Sequence, residues 1–414
     1  MNSEVLSTIL EKRNALFHPE ESLTRRQHLE KFFASGFKVR DQDFYKFTNV
    51  SRFLEELNYA PINRAFDLNE MIDENLPTLF FVDGDLQNPE LKISGVKTSL
   101  LKEDVKALNL DGATHLHSAM KTDGVKIEIA KNTRLESPIR ILNIFTKSGI
   151  WAPSYSIECH PFSEATIIEE NVSLESSYAY FSQSYIKLHP TAKLEHIQID
   201  DGLMDSVHHG SSIVDVLKDA TYRNVLLHVA GKLNRRNVEI NMKEAGAHGE
   251  SYNLYLSNGK EHSDIHTLIN HEAADTTSDQ LAKGILDGES RGVFTGRIHI
   301  HPHAQRVAAG QLNKNLLLSK KAQMHSQPQL EIFADDVKCS HGSTTGQLSP
   351  EEVFYFEARG IPREKARTLL AFGFGLEVVM KIQNEVARDK VSAIVMEKLK
   401  TKFNLGGSHE HPDK

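Results

Sequence analysis

A small-residue step, polar–alanine–polar, recurs through the middle of this chain at Glu164-Ala165-Thr166, Thr191-Ala192-Lys193, Asp219-Ala220-Thr221, Gly246-Ala247-His248 and Ala273-Ala274-Asp275. Its alanines lie 27, 28, 27 and 27 residues apart. Short β-rich runs fill the intervals: Lys126–Ala130, Ile139–Phe145, Ala165–Val172, Lys193–Ile199, Val225–Val229, Asn253–Leu256, Ile265–Asn270 and Arg297–Ile300. Turn residues interrupt them and no long helical pattern intervenes. A near-constant period filled with short strands is what stacked coils of a parallel β-helix produce, each coil placing one small residue at the same corner. A two-sheet sandwich is the alternative that the same strands leave open.

The flanks differ in character. Val5, Ile9, Leu10 and Leu16 space as one helix face and Leu29, Phe32 and Phe33 as another, with Pro19 between them and Ser35-Gly36 closing the second. An aromatic-rich segment, Arg40 to Thr48, follows, and 61–112 reads as a connecting region with a few strands. At the other end Ser349-Pro350-Glu351-Glu352 is a helix start, with an N-cap serine, proline at N1 and glutamate at N3. That helix stops at Gly360, and a second is expected from Pro362 to Gly373-Phe374-Gly375. An apolar stripe then continues through Leu376, Val379, Ile382 and Val386 and on through Val391, Ile394, Val395 and Leu399, to pack on the same chain or to dock a partner. The expected organisation is 1–112 helical and connecting, 113–348 β-helix core, 349–404 helical, and 405–414 a tail.

The 414 residues carry a formal charge of −8 and no basic arm, which argues against a nucleic-acid binder that works through phosphate contacts. Two cysteines, Cys159 and Cys339, are too few for a disulfide framework and fit a reducing compartment. The N-terminus is charged throughout and no apolar run is long enough to span a bilayer, so a cytoplasmic protein without membrane contact is expected.

Chemistry-bearing side chains concentrate in Leu330 to Leu348, LEIFADDVKCSHGSTTGQL. In an extended backbone Cys339 and His341 share one face and Ser340 takes the other. A thiol and an imidazole side by side suit iron–sulfur species, zinc or copper, while Gly342 and Gly346 permit a turn or the close approach of another chain. Spacing alone favours the plainer reading, a buried structural cysteine beside a hydrogen-bonded histidine at a turn. His299, His301 and His303 alternate as metal ligands along one strand would, but Pro302 to Gly310 holds no glutamate to complete a cupin-type site. His208-His209, Asp200-Asp201 and Asp335-Asp336 are adjacent pairs, which point apart on a strand. No G-x-x-x-x-G-K-[ST] or G-x-G-x-x-G occurs, so nucleotide hydrolysis and dinucleotide binding by the usual loops are not expected.

Asn313–Ser319, Pro328–Ile332, Ala334–Ser343 and Phe354–Ile361 resemble the SufB/SufD family of iron–sulfur cluster assembly proteins, in a contiguous match from about Asn313 to Phe374. Asp43-Phe44-Tyr45-Lys46-Phe47-Thr48 is similar in character to the N-terminal aromatic segment of the SufD branch, and the few cysteines point to that branch also. The resemblance implies a right-handed parallel β-helix with helical terminal domains and a non-catalytic scaffold subunit. It implies pairing with SufB through the β-helices, docking of the ATPase SufC on the C-terminal helices, and no cofactor held stably by the isolated chain. It places His341, with Cys339, beside a transient iron–sulfur cluster shared with SufB, and Phe354, Tyr355, Arg359, Ile361, Leu369 and Phe372 in the SufC-docking helices. A homodimer of the free chain is left open. The competing expectation, from the Asp pairs and the histidine ladder, is a β-helix polysaccharide lyase or hydrolase.

Overall fold

The computed structural model describes residues 6–8, 10–11, 19–37, 45–57, 73, 76–106, 112–174, 177–203 and 205–403. From Lys121 to Gly346 the chain winds as a parallel β-solenoid of two facing sheets, successive strands alternating between them. Among the described residues one sheet has ten strands and ends on Val337–Gly346, and the other has nine and ends on Gln323–Ile332. Parallel registers set the repeat: Lys193 lies opposite Thr221, Thr221 opposite His248 and His248 opposite Thr277, steps of 28, 27 and 29 residues.

The corner is built as the period predicts, with a correction to its register. Ala192, Ala220 and Ala247 are buried and stacked, but Glu164 pairs with Lys193, so Ser163 and not Ala165 occupies their row. Likewise His248 pairs with Thr277, which puts Thr276 there in place of Ala274. Immediately before each of these small residues the backbone turns through a left-handed conformation, at Phe162, Thr191, Asp219, Gly246 and Asp275, with φ of 55–74°. That conformation bends the chain into the next coil, and Asp and Gly adopt it at least cost. Ala220, fully buried between Ala192 and Ala247, has no room to grow. Ala220→Leu is expected to cost roughly 1–3 kcal/mol, read as a lower urea midpoint, and an unchanged midpoint would remove the corner from the account of stability.

Two layers fill the lumen. Near the corner it is apolar, with Ile127, Ile157, Ile186, Val214 and Ile240 from one sheet facing Ile141, Ile167 and Leu194 from the other. Deeper it is polar and charged. Arg236 reaches back over Gly210, where a Cβ would lie 2.4 Å from its guanidinium, and joins Asp200 at 2.6 and 2.9 Å and Glu169 at 3.1 Å. This mixed interior hides strands from a binary pattern. Gly149–Cys159, Tyr178–Leu188, Ser206–Val216, Leu233–Met242, Thr277–Leu286, Val307–Leu317 and most of Gln323–Ile332 carried no expected run. Many of their polar residues, His208, Arg236 and Asn313 among them, are buried.

Helices cover both outer faces. Helices α1 (Pro19–Ser35), α2 (Val50–Glu55) and α3 (Gly112–Met120) pack Leu29, Phe32, Leu54, Leu116 and Met120 on Ile150, Ala179, Phe181 and Val207 of the nine-stranded sheet. Leu29 and Phe32 are buried as their spacing predicts but Phe33 is 40% exposed, Gly36 ends α1 at φ 57°, and α3 stands where strands were expected. Of the aromatic segment, Tyr45 lies 3.1 Å from His209, Phe47 stacks on His325 and Thr48 bonds Asp264; Arg40 to Phe44 fall outside the described residues, as do Val5, Ile9, Leu16 and the tail. Thr78–Val82 pairs in parallel with Ile139–Phe145, whereas Asp85–Leu86 and Val96–Leu100 add antiparallel and form the sheet edges at that end.

Helices α4 (Pro350–Glu357), α5 (Arg363–Val379) and α6 (Glu385–Lys402) follow the solenoid. Ser349 caps α4 by accepting the Glu352 N–H, and Asn384 caps α6 by accepting that of Ala387. The second helix does not stop at Gly373-Phe374-Gly375 but runs on to Val379. Gly375 lies buried against Leu254, and burial on the sheet outweighs the weak helix propensity of glycine. Of the apolar stripe, Val379, Ile382, Val391, Val395 and Leu399, with Val378, pack on Ile197, Val225, Leu227, Leu254 and Ile285 of the ten-stranded sheet, while Val386 is 52% exposed and stands apart from it.

Candidate functional site

The solenoid ends without a cap. Gln323–Ile332 pairs only with Arg291–Ile300, and Val337–Gly346 only with Val307–Leu317, so among the described residues each last strand presents a free edge. Such an edge is a row of unpaired backbone donors and acceptors ready to accept a further strand.

Val337, Cys339 and His341 lie opposite Val307, Ala309 and Gln311, all buried lumen positions, so the three share the face at the mouth of the coil. The thiol and imidazole are thus on one face, as the two-residue spacing predicts. Cys339 is half-buried beside Ala309, Val337 and Leu330, and His341 is exposed. Across the mouth Ser343 donates to Ser326 at 2.8 Å. Burial pushes the Cys339 thiol above its ordinary range, with a backbone hydrogen bond at Ala309 acting the other way. It rests protonated at neutral pH, and any ion or partner that takes it as thiolate must displace the proton. A Cβ at Gly346 would meet nothing within 4 Å, and at Gly342 only Leu312.

The C-terminal helices keep a second surface clear of the solenoid. Phe354 and Tyr355 are 67% and 55% exposed on α4. Arg359 stacks its guanidinium 3.4 Å from the Tyr355 ring centre and donates to the Tyr355 carbonyl. Ile361 and Leu369 are half-buried, and Phe372 packs against the core beneath α5.

Of the histidine ladder only His299 lies in the strand; His301 and His303 occupy the turn after Ile300, with ring centres still 4.7 Å (His299–His301) and 5.8 Å (His301–His303) apart. His299 meets Glu331 at 2.9 Å and His303 the Glu272 carbonyl at 2.7 Å. Asp200 points into the lumen to Arg236 while Asp201 points out to Lys398, so the pair cannot act as two carboxylates on one substrate. His208 faces the lumen and His209 the N-terminal helices. The charged lumen itself was not foreseen. Its one trace in sequence is Arg235-Arg236 inside a strand, where each arginine is 1% exposed.

Residues 143–374 match the SUF system FeS cluster assembly SufBD core domain. The chain belongs to the SufB/SufD family. A SufBD family iron–sulfur cluster assembly protein of Synechocystis is 32% identical over 281 residues, 65% of this chain and 62% of that one. The iron–sulfur cluster assembly protein SufD of Escherichia coli is 25% identical over 417 residues, 95% of this chain and 97% of its own. The chloroplastic protein ABCI7 of Arabidopsis thaliana is 26% identical over 397 residues, covering 88% and 83%. Within the family the chain is most like SufD, and its role lies in iron–sulfur cluster assembly. The parallel solenoid expected from the family is the fold described above, and among the described residues no helix is long and apolar enough to cross a membrane.

Proposed function

We propose that this chain is a non-catalytic, cytoplasmic scaffold subunit that pairs with a SufB-type solenoid through its open end and holds a nascent iron–sulfur cluster at that junction. The observation that carries this reading is the uncapped last coil, where free strand edges and the Cys339–His341 face occur together. A second solenoid end abutting this one would satisfy the free backbone groups and bring its own ligands opposite His341. Sulfur and nitrogen donors suit iron–sulfur species, and a site completed only by a partner would hold a cluster transiently. Exposed Phe354 and Tyr355, with Arg359 stacked over the latter, form the surface offered to a SufC-type ATPase, with Ile361, Leu369 and Phe372 supporting it. The ATPase would supply the work, the chain having no phosphate loop of its own.

Co-purification with SufB- and SufC-type proteins of the same genome, followed by anaerobic reconstitution with iron and sulfide, tests the proposal. A three-component complex is expected. His341→Ala, at an exposed position, should leave the complex intact and lower its cluster absorbance by more than half. An intact complex with full absorbance would take His341 out of the site, and failure to form any complex would sink the scaffold reading.

A further inference from the structure

A second group of ligating side chains lies at the corner of the solenoid, several coils from the open end. Glu158 points outward from Gly149–Cys159, His160 begins the turn after that strand, and His189 takes the equivalent place one coil on, since Cys159 pairs with Leu188. The stacked backbone fixes them: the His160 N–H donates to the Ile129 carbonyl and the His189 N–H to that of Cys159, both at 2.9 Å. Their imidazoles stack with centres 5.1 Å apart and planes 18° apart, close to the coil spacing itself. His189 Nε2 lies 2.7 Å from a Glu158 carboxylate oxygen, and one ligand atom from each residue falls within 4.8 Å of the other two.

We propose that Glu158, His160 and His189 form a binding site for one divalent transition-metal cation of the zinc, cobalt(II) or iron(II) class. Metal–ligand bonds of about 2.0–2.2 Å place cis ligand atoms roughly 3–3.5 Å apart. Closing from 4.8 Å to that separation calls for rotation of the side chains on a backbone that the coil holds in place. Two imidazoles and one carboxylate match borderline cations, and a three-ligand set leaves positions for water or a ligand from outside. Magnesium and calcium, which prefer oxygen, are poorly served. All three residues are part-exposed, which gives an ion a path in from solvent.

This site does not depend on the scaffold role and is tested on the isolated full chain. Cobalt(II) titrated into metal-free protein, followed by visible absorption and calorimetry, should show micromolar binding that Glu158→Gln and His189→Ala each weaken at least tenfold. His301→Ala, in the other histidine group, should leave that binding unchanged. Zinc-soaked crystals should place the anomalous peak between the three residues. Near-ultraviolet circular dichroism of each variant separates lost binding from lost fold, and the positions are open enough for the substitutions to fold. Equal affinity in wild type, Glu158→Gln and His189→Ala overturns the proposal, as does an anomalous peak only at His299–His303.

Discussion

Arg236→Leu is expected to be the most damaging single substitution in the chain. Arg236, Asp200 and Glu169 are each at most 1% exposed, and the guanidinium is the cation that both carboxylates face. Asn171 also donates to Asp200, and Gln198 and Tyr180 donate to Glu169, so the group is well bonded as it stands. Against the cost of burial, the Arg236 charge holds Glu169 down to about 2 and Asp200 well below the usual carboxylate range. Removing one partner of such a buried group leaves uncompensated charge in the lumen and costs on the order of 3–5 kcal/mol. That is a large share of the roughly 5–15 kcal/mol by which a domain is stable. Urea unfolding should show a sharply lower midpoint or little soluble protein. Adding Glu169→Gln and Asp200→Asn to Arg236→Leu should recover part of the loss, because the charges that needed the arginine are gone. A loss below about 1 kcal/mol would mean that water reaches the lumen.

Acid should unfold the protein well above the carboxylate range. Burial lowers His117 to about 4, His209 to about 3, His262 to about 4 and His271 to about 3. At neutral pH they are uncharged in the fold, where His117 meets the Pro153 carbonyl and His271 the hydroxyls of Thr276 and Ser278. In the unfolded chain each takes a proton near 6.5. Below that pH the unfolded state binds more protons, so stability falls as pH falls, by up to about 1.4 kcal/mol per pH unit for each histidine. Between pH 6.5 and the folded values near 4 the four act together. Glu169 and Asp200 add their loss only from about pH 4.5 downward, as the unfolded carboxyls begin to protonate. Urea midpoints should be flat above pH 7 and drop steeply from 6.5 to 5, and His271→Gln should make the slope shallower. A midpoint unchanged between pH 7 and 5 would show that these imidazoles charge freely in the fold.

How far each feature was legible follows from where its residues sit. A corner admits only small side chains, so its period is written in the alanines, although Ser163 and Thr276 do the same work and misled the register at both ends. Helix α4 was legible from its cap, and α6 from its stripe, because those signals are local. The glycines inside α5 read as a stop because the sheet surface that Gly375 packs on, at Leu254 and Ile285, belongs to residues far earlier in the chain. Cys339 and His341 share a face by strand geometry alone, so spacing sufficed. Arg236, Asp200 and Glu169 could not be found that way: polar residues in a strand read as solvent-facing until the second sheet is in place. The His160–His189 pair was equally silent, two histidines 29 residues apart that meet only through the coil register.

The two ends of the solenoid finish differently. Short antiparallel strands, Asp85–Leu86 and Val96–Leu100, form the sheet edges at the first end, while at the last coil the edges are the full-length parallel strands Gln323–Ile332 and Val337–Gly346. Short antiparallel edges offer little backbone to a neighbour, whereas each edge of the last coil is ten residues long. A strand laid there would take its hydrogen bonds from groups that the coil itself leaves unpaired, and its register would be dictated by the coil beneath it.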